Sequence, residues 1–244
     1  MNTLYESRAD ASADTAVKRP VLVWDAPVRV FHWLLVLSFA GAYMSAESER
    51  WRLLHVTLGY TMAGLVLFRI AWGLIGTRYA RFSNFVRGPK AVSRYLTATL
   101  RGHPEHHTGH NPAGALAIVA LLGLALALAA SGWATYNELS GEWLEEVHEA
   151  IANLMLALVA VHVAAVFLSA WLHKENLVRA MITGRKPGLP EDGIRSAWRI
   201  VAALMLAAVL GFWSVQWNSA SAGSAPADPH AASVTSGHHH RHGD

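Results

Sequence analysis

The sequence contains no cysteine at all. That excludes disulfides, iron–sulfur clusters, thiolate metal sites and haem attached through a C-x-x-C-H motif. Charge is scarce too: Asp, Glu, Lys and Arg together make up 15% of 244 residues. A hydrophobic share of 53% and ten tryptophans accompany this scarcity. Mean hydropathy is +0.26. Such a balance belongs to a membrane protein rather than to a water-soluble core. The N-terminal stretch, residues 1–20, is polar, with no apolar run behind its first basic residue. It reads as a cytoplasmic segment, not a cleavable signal peptide.

What is abundant is apolar sequence in long runs. Five segments stand out, at about 30–45, 53–75, 112–133, 147–172 and 197–217. The first is short for a span of about 20 residues and is expected to reach back toward Pro27. Asn111-Pro112 suits the start of the third, because proline is tolerated in a first helical turn. Lys18, Arg19 and Arg29 precede the first span. The second connection carries Arg78, Arg81, Arg87, Lys90, Arg94 and Arg101, and the fourth carries Lys174, Arg179, Arg185, Lys186 and Arg195. The first connection mixes Glu47 and Glu49 with Arg50 and Arg52. The third is acidic, with Glu138, Glu142, Glu145 and Glu146. Basic loops stay inside, so the N-terminus is expected to be cytoplasmic and the C-terminus periplasmic. Trp51, Trp133, Trp143 and Trp217 then fall at outer boundaries, and Trp24, Trp72, Trp171 and Trp198 near inner ones, as an aromatic belt requires. Residues 89–100 read as an amphipathic helix on the inner surface, with Arg94 and Arg101 toward anionic lipid. The tail 218–244, ending His238-His239-His240-Arg241-His242, has the composition of a disordered segment.

Fourteen histidines are present, but four sit inside the apolar segments. His32 lies near the inner end of the first span and His55 near the outer end of the second. His148 and His162 share the fourth. Fourteen positions turn a helix through about 1400°, within roughly 40° of whole turns, so both lie on one face about 21 Å apart. Imidazoles at two depths of a bilayer are costly unless something uses them. Depth matching pairs His55 with His148 on the outer side and His32 with His162 on the inner side. A facing pair of imidazoles can ligate one metal axially, and haem iron accepts such ligands. Two stacked haems would carry electrons across the membrane. Gly41, Gly59, Gly64 and Ala152 offer room near the histidines. Without thiolates or carboxylates at these depths, structural zinc and di-iron carboxylate centres are poorly supported. His103, His106, His107 and His110 are expected to be solvated in the inner loop. Arg29 and Arg69 lie near inner boundaries and have two readings: pairing with haem propionates, or anchoring the spans. Glu145, Glu146 and Glu149 either favour the N-terminal dipole of the fourth helix or accept a proton from a quinol.

The motifs resemble a known family. Trp24-Asp25-Ala26-Pro27-Val28-Arg29-Val30-Phe31-His32-Trp33 resembles the W-D-x-x-x-R-x-x-H-W entry of bacterial di-haem cytochromes b, the superfamily of cytochrome b561 and the cytochrome b subunit of nickel-iron hydrogenases. The likeness continues through Leu54-His55-x3-Gly59-Tyr60, Phe68-Arg69-Ile70-Ala71-Trp72-Gly73, Gly109-His110-Asn111-Pro112-x-Gly114 and the His148…His162 helix. It covers about residues 21–185. The resemblance implies an all-α, integral membrane four-helix haem-binding bundle over residues 21–186, to which 187–217 add a fifth C-terminal transmembrane helix. It implies two non-covalent b-type haems ligated by His32, His55, His148 and His162, and Arg29 and Arg69 stay as candidate cofactor-binding residues on their position alone. It also implies electron transfer in the cytoplasmic membrane between quinone, as substrate, and a periplasmic cytochrome or hydrogenase-type partner, in the manner of a quinol/quinone oxidoreductase subunit. A homodimer is compatible with it, and nothing points to nucleic acid. The alternative from another class is a histidine-based metal-ion or proton transporter without haem; a third is a membrane anchor with no redox role.

Overall fold

A computed structural model describes residues 19–102, 109–139 and 141–223. His103, His106, His107, the polar segment before residue 19 and the tail's histidines lie outside the described residues. Among the described residues, eight α-helices and one two-stranded antiparallel sheet, hairpin-like in its pairing though its strands are far apart in sequence and called the hairpin below, make up the fold: β1 (Arg19–Leu22), α1 (Ala26–Ser45), α2 (Arg52–Ile75), α3 (Phe82–Phe85), α4 (Pro89–Leu100), α5 (Pro112–Tyr136), α6 (Trp143–His173), α7 (Leu177–Thr183), β2 (Arg185–Gly188) and α8 (Arg199–Gly223). Short 3-10 turns, Glu49–Trp51 and Pro190–Asp192, precede α2 and follow β2. Five helices, α1, α2, α5, α6 and α8, are long and apolar enough to cross a membrane. This is an all-α membrane bundle.

The helix starts are written locally. Asp25 caps α1: its Oδ1 accepts the Val28 N–H at 2.8 Å, and Pro27 sits in the first turn. Asn111 caps α5 in the same way, its Oδ1 accepting the Gly114 N–H at 2.7 Å ahead of Pro112. Each cap supplies an acceptor to a first-turn N–H that has no helical partner. Glu145 and Glu146 occupy the first turn of α6, where carboxylates suit the helix dipole. α6 ends on Lys174 in the left-handed region, φ 52°.

The short connections between α1 and α2 and between α5 and α6 make each of these packed pairs antiparallel. α1 packs on α2, α2 on α5 and α5 on α6. The Tyr43 hydroxyl of α1 donates to Asn153 Oδ1 of α6 at 2.9 Å, joining the first helix to the fourth. One end of the bundle is closed by the hairpin, in which Arg19 pairs with Gly188 and Leu22 with Arg185. Gly184, at φ +79°, lets the chain turn out of α7 so that its carbonyl accepts from Val23 N and Trp24 N at 2.8 and 3.0 Å. An added Cβ there would press to 2.6 Å from the Trp24 carbonyl oxygen. Lys186 and Glu175 form a 2.9 Å ion pair in the same cap, with side chains only 6% and 13% exposed. This end is called the hairpin end below.

The chain divides into two units, at Leu206 and Ala207, so α8 begins in the first unit and continues in the second. Within the first unit, the Ala26 N–H donates to the Ala197 carbonyl at 2.8 Å, and the Trp198 ring meets Trp72 edge-on at 5.6 Å. α4 covers residues 89–100, the stretch read as amphipathic. Two details depart from expectation. Trp24 and Trp72 are not belt residues: they are 7% and 8% exposed. Trp72 is drawn inward because its indole N–H donates to the Asp25 carboxylate at 3.0 Å, and a buried indole keeps its polar edge satisfied. Gly41 is not a space-maker either, since a Cβ there would lie 2.6 Å from Leu58 Cδ1. It serves close packing of α1 on α2.

Candidate haem sites at the two ends of the bundle

The end away from the hairpin holds His55 near the start of α2 and His148 in the second turn of α6. Their rings face each other with centroids 6.2 Å apart and planes at 74°. Both rings are oriented from behind. His55 Nδ1 lies 2.8 Å from the Ala42 carbonyl oxygen of α1. A carbonyl only accepts, so Nδ1 carries the proton and Nε2 is the free lone pair. His148 Nδ1 lies 2.9 Å from Ser131 Oγ of α5, and that hydroxyl lies 3.1 Å from the Leu128 carbonyl. The hydroxyl proton goes to Leu128, so Oγ accepts from His148 Nδ1–H and again leaves Nε2 free. Fixing the tautomer through the far nitrogen is how metal-binding histidines are commonly prepared.

A cavity of about 290 Å³ lies between them, lined by His55, Gly59, Leu126, Gly132 and His148 among others. A Cβ added at Gly59 meets nothing within 4 Å, so the wall is open there. Gly132 is the opposite: a Cβ would come within 2.8 Å of His148 Cε1. Gly132 therefore sets how close α5 can come behind the ring. Two imidazoles holding one metal from opposite sides need centroids about 6 Å apart, given metal–nitrogen bonds of ~2 Å. The observed spacing fits that requirement, and the mostly apolar walls fit a porphyrin.

The hairpin end is built differently. His32 sits in the second turn of α1 and His162 in the second half of α6, and His32 is within electrostatic reach of His162. Neither ring has a hydrogen bond among the described residues. His32 instead meets Trp33 edge-on at 5.2 Å. The same end holds a set of buried polar groups. Asp25 is 1% exposed, and besides capping α1 it accepts from Trp72 Nε1 and, at 2.6 Å, from Thr77 Oγ1. Arg69 is 3% exposed, and its guanidinium lies over the Phe82 ring at 4.8 Å. Its Nη1 has no hydrogen-bond partner. Arg29 is engaged: Nη1 donates to the Ile182 carbonyl at 2.6 Å and Nε to the Asp25 carbonyl at 3.3 Å. Of the two arginines singled out in the sequence, only Arg69 therefore keeps a buried N–H to offer.

His110 is not solvated. Its ring lies 4.5 Å from both Trp24 and Phe85, and its Nδ1 is buried without a partner. Burial, with Arg69, Lys186 and His162 adding to it, pushes its pKa down to about 3, so it is neutral at physiological pH. His110, Asp25, Ser131 and Gly132 were the residues sequence reasoning passed over as site residues. A signal existed for two of them: Asp25 precedes a helix-starting Ala-Pro, and His110 stands immediately before the Asn111-Pro112 cap.

Among the described residues, no three His, Cys, Asp or Glu side chains converge on a point that could hold an ion. The arrangement supplies nitrogen ligands in twos.

Comparison with known proteins places the chain in a family. The chain is 23% identical to a probable Ni/Fe-hydrogenase B-type cytochrome subunit of Rhizobium leguminosarum bv. viciae, over 75% of this chain and 97% of that one. A protein of the same description from Bradyrhizobium diazoefficiens is 27% identical, over 73% and 91%. The probable Ni/Fe-hydrogenase 1 B-type cytochrome subunit of Escherichia coli K12 is 28% identical over 48% of this chain and 60% of its own. No solved structure matches significantly. The family described as prokaryotic cytochrome b561 matches residues 23–184, the stretch that holds His32, His55, His148 and His162 as well as Asp25, Arg69 and His110, and the chain belongs to that family of multi-pass membrane cytochromes.

Proposed function

We propose that the protein is a di-haem b-type cytochrome that carries electrons across the cytoplasmic membrane, between quinone and a hydrogenase-type partner. The observation that carries this reading is the His55–His148 pair, 6.2 Å apart with both Nδ1 atoms engaged. Haem, when bound, supplies reversible one-electron chemistry. The chain's own residues do the rest. His55 and His148 present Nε2 from opposite sides of one cavity, with Ala42 and Ser131 holding their tautomers. His32 and His162 would hold the second haem, and Arg69, with a buried N–H to offer, would bind a propionate of it. Because His148 and His162 share α6, one rigid helix fixes the spacing of the two sites at about 21 Å along its axis.

The hairpin end, with its basic connections, is the cytoplasmic side, which puts the His55–His148 site toward the periplasm. A hydrogenase partner follows from the relatives' names. It delivers electrons at the His55–His148 end, and quinone receives them at or near the other. Visible spectroscopy of the purified protein tests this reading. A Soret band and a reduced α band should appear with dithionite, with two haems per chain by pyridine haemochrome. Colourless, haem-free protein would overturn the cytochrome reading, and haem-free protein that binds divalent ions would favour the transporter alternative over a redox-free anchor.

A further inference from the structure

The hairpin end contains two buried nitrogen atoms that nothing satisfies, and they belong to one neighbourhood. Arg69 Nη1 and His110 Nδ1 both lack a hydrogen-bond partner. Arg69 lies over Phe82, Phe82 packs against Phe85 at 5.7 Å, and Phe85 packs against His110. His110 is within electrostatic reach of both Arg69 and His162. A buried N–H without an acceptor is costly, more so when it belongs to a cation. The nearby carboxylates do not resolve this. Asp25 is near Arg69 but gives its oxygens to Val28 N, Trp72 Nε1 and Thr77 Oγ1. Glu175 is bound by Lys186. Both carboxylates are therefore already engaged.

We propose that Arg69 Nη1 and His110 Nδ1 together hold one propionate carboxylate of the haem at the His32–His162 end, and that His110 is a positioning residue setting that haem's potential. This rests on the di-haem reading above. A carboxylate takes two donors at once, and a guanidinium on it gives a charge-assisted bond. The imidazole has its own reason to be there. Wedged between Trp24 and Phe85, it cannot rotate away, and being neutral it donates without adding charge. Holding the propionate's negative charge with two donors makes the reduced, more negative haem easier to form. The site's potential is thereby raised relative to a haem whose propionates meet water alone.

The test uses the full chain in nanodiscs, with haem carrying ¹³C-labelled propionates. A His55→Ala background isolates the haem at the hairpin end. His110→Leu should retain that haem and lower its midpoint by a tenfold change in the reduction equilibrium, about 59 mV for one electron. It should also shift the labelled carboxylate bands in the redox infrared difference spectrum. His110→Gln keeps a donor at a similar reach, so it should restore most of the potential while still moving the bands. An unchanged potential with unchanged bands in His110→Leu overturns the assignment. If that variant fails to assemble, His110→Gln decides alone, and labelled bands identical to the parent's overturn the assignment equally. Wild-type protein with fewer than two haems breaks the di-haem reading itself. Two haems with bands indifferent to His110 break only the propionate assignment.

Discussion

The two ends of this bundle solve one problem with different materials. At the His55–His148 end the histidines are held by hydrogen bonds from behind, the cavity walls are mostly apolar, and the nearby charges are exposed side chains of both signs, Glu49, Arg50 and Arg52 before His55 and Glu145, Glu146 and Glu149 around His148. At the hairpin end the histidines have no such backing among the described residues, but the same end holds buried Asp25 and Arg69 and the buried Nδ1 of His110. The contrast teaches where the protein invests in ligand orientation and where in electrostatics. A fixed Nδ1–H donor makes an imidazole a stronger base and favours the oxidised metal. Buried positive charge favours the reduced one. On the di-haem proposal both effects point one way: a haem held by His55 and His148 would be the lower in potential and one at the hairpin end the higher. Electrons entering at the first would run downhill to the second.

The comparison is broken most directly at the ligands. His55→Ala and His162→Ala should each remove one haem and leave the other, halving haem per chain by pyridine haemochrome. The remaining midpoints should differ, with the more negative one surviving in His162→Ala. A single variant that empties both sites would mean the histidines do not divide as two pairs.

Arg69→Gln should have the next largest effect. A unit charge about 8 Å away at an effective dielectric of 20 is worth on the order of 2 kcal/mol. The hairpin-end haem should fall in potential by several tens of millivolts while the other stays fixed, as read by spectroelectrochemical titration. The substitution also leaves Asp25 buried beside one fewer cation, so some loss of thermal stability should accompany it. Ser131→Ala should act at the opposite end and with opposite sign. Losing the acceptor for His148 Nδ1–H, about 1 kcal/mol for one hydrogen bond, weakens the imidazole as a base and raises the midpoint of the His55–His148 haem. The pair of variants thus narrows the gap between the two potentials from both sides.

Much of this architecture was legible before any coordinates. Apolar runs and loop charge supplied the five long helices, because the bilayer requires them to be long and uninterrupted. The α1 and α5 caps followed from Asp25 ahead of Ala-Pro and Asn111 ahead of Pro. The His55–His148 contact depended only on helix direction and depth. What stayed hidden depends on approach between distant segments. His110 belongs to a polar, histidine-rich connection, so its sequence reads as solvated. Trp24 and Phe85, 86 and 25 positions away, are what cover it. Trp72 looks like one more interfacial tryptophan until Asp25 claims its N–H. Ser131 in an apolar helix usually returns its hydroxyl to its own backbone; it does so to Leu128, and only the position of α6 reveals its second bond. The hairpin was invisible because β1 and β2 are four residues each and lie at opposite ends of the bundle sequence.

The smallest effect separates packing from ligand room. Gly132→Ala and Gly64→Ala make the same chemical change in two helices, and intrinsic propensity predicts a gain of up to about 1 kcal/mol for both. Their surroundings differ. A methyl at Gly64 meets nothing within 4 Å, whereas one at Gly132 would come within 2.8 Å of the His148 ring. Gly64→Ala should therefore be neutral or slightly stabilising in a thermal melt, with an unchanged spectrum. Gly132→Ala must push His148 off its line with Ser131 or force α5 away from α6. Either movement disturbs the ligand geometry of one haem only, seen as a displaced low-spin signal in electron paramagnetic resonance. The hairpin-end haem has no glycine pressed against its histidines among the described residues, so its signal should not move. A shift in both signals would show that α6 transmits strain along its length, and that the two ends are less independent than their different construction implies.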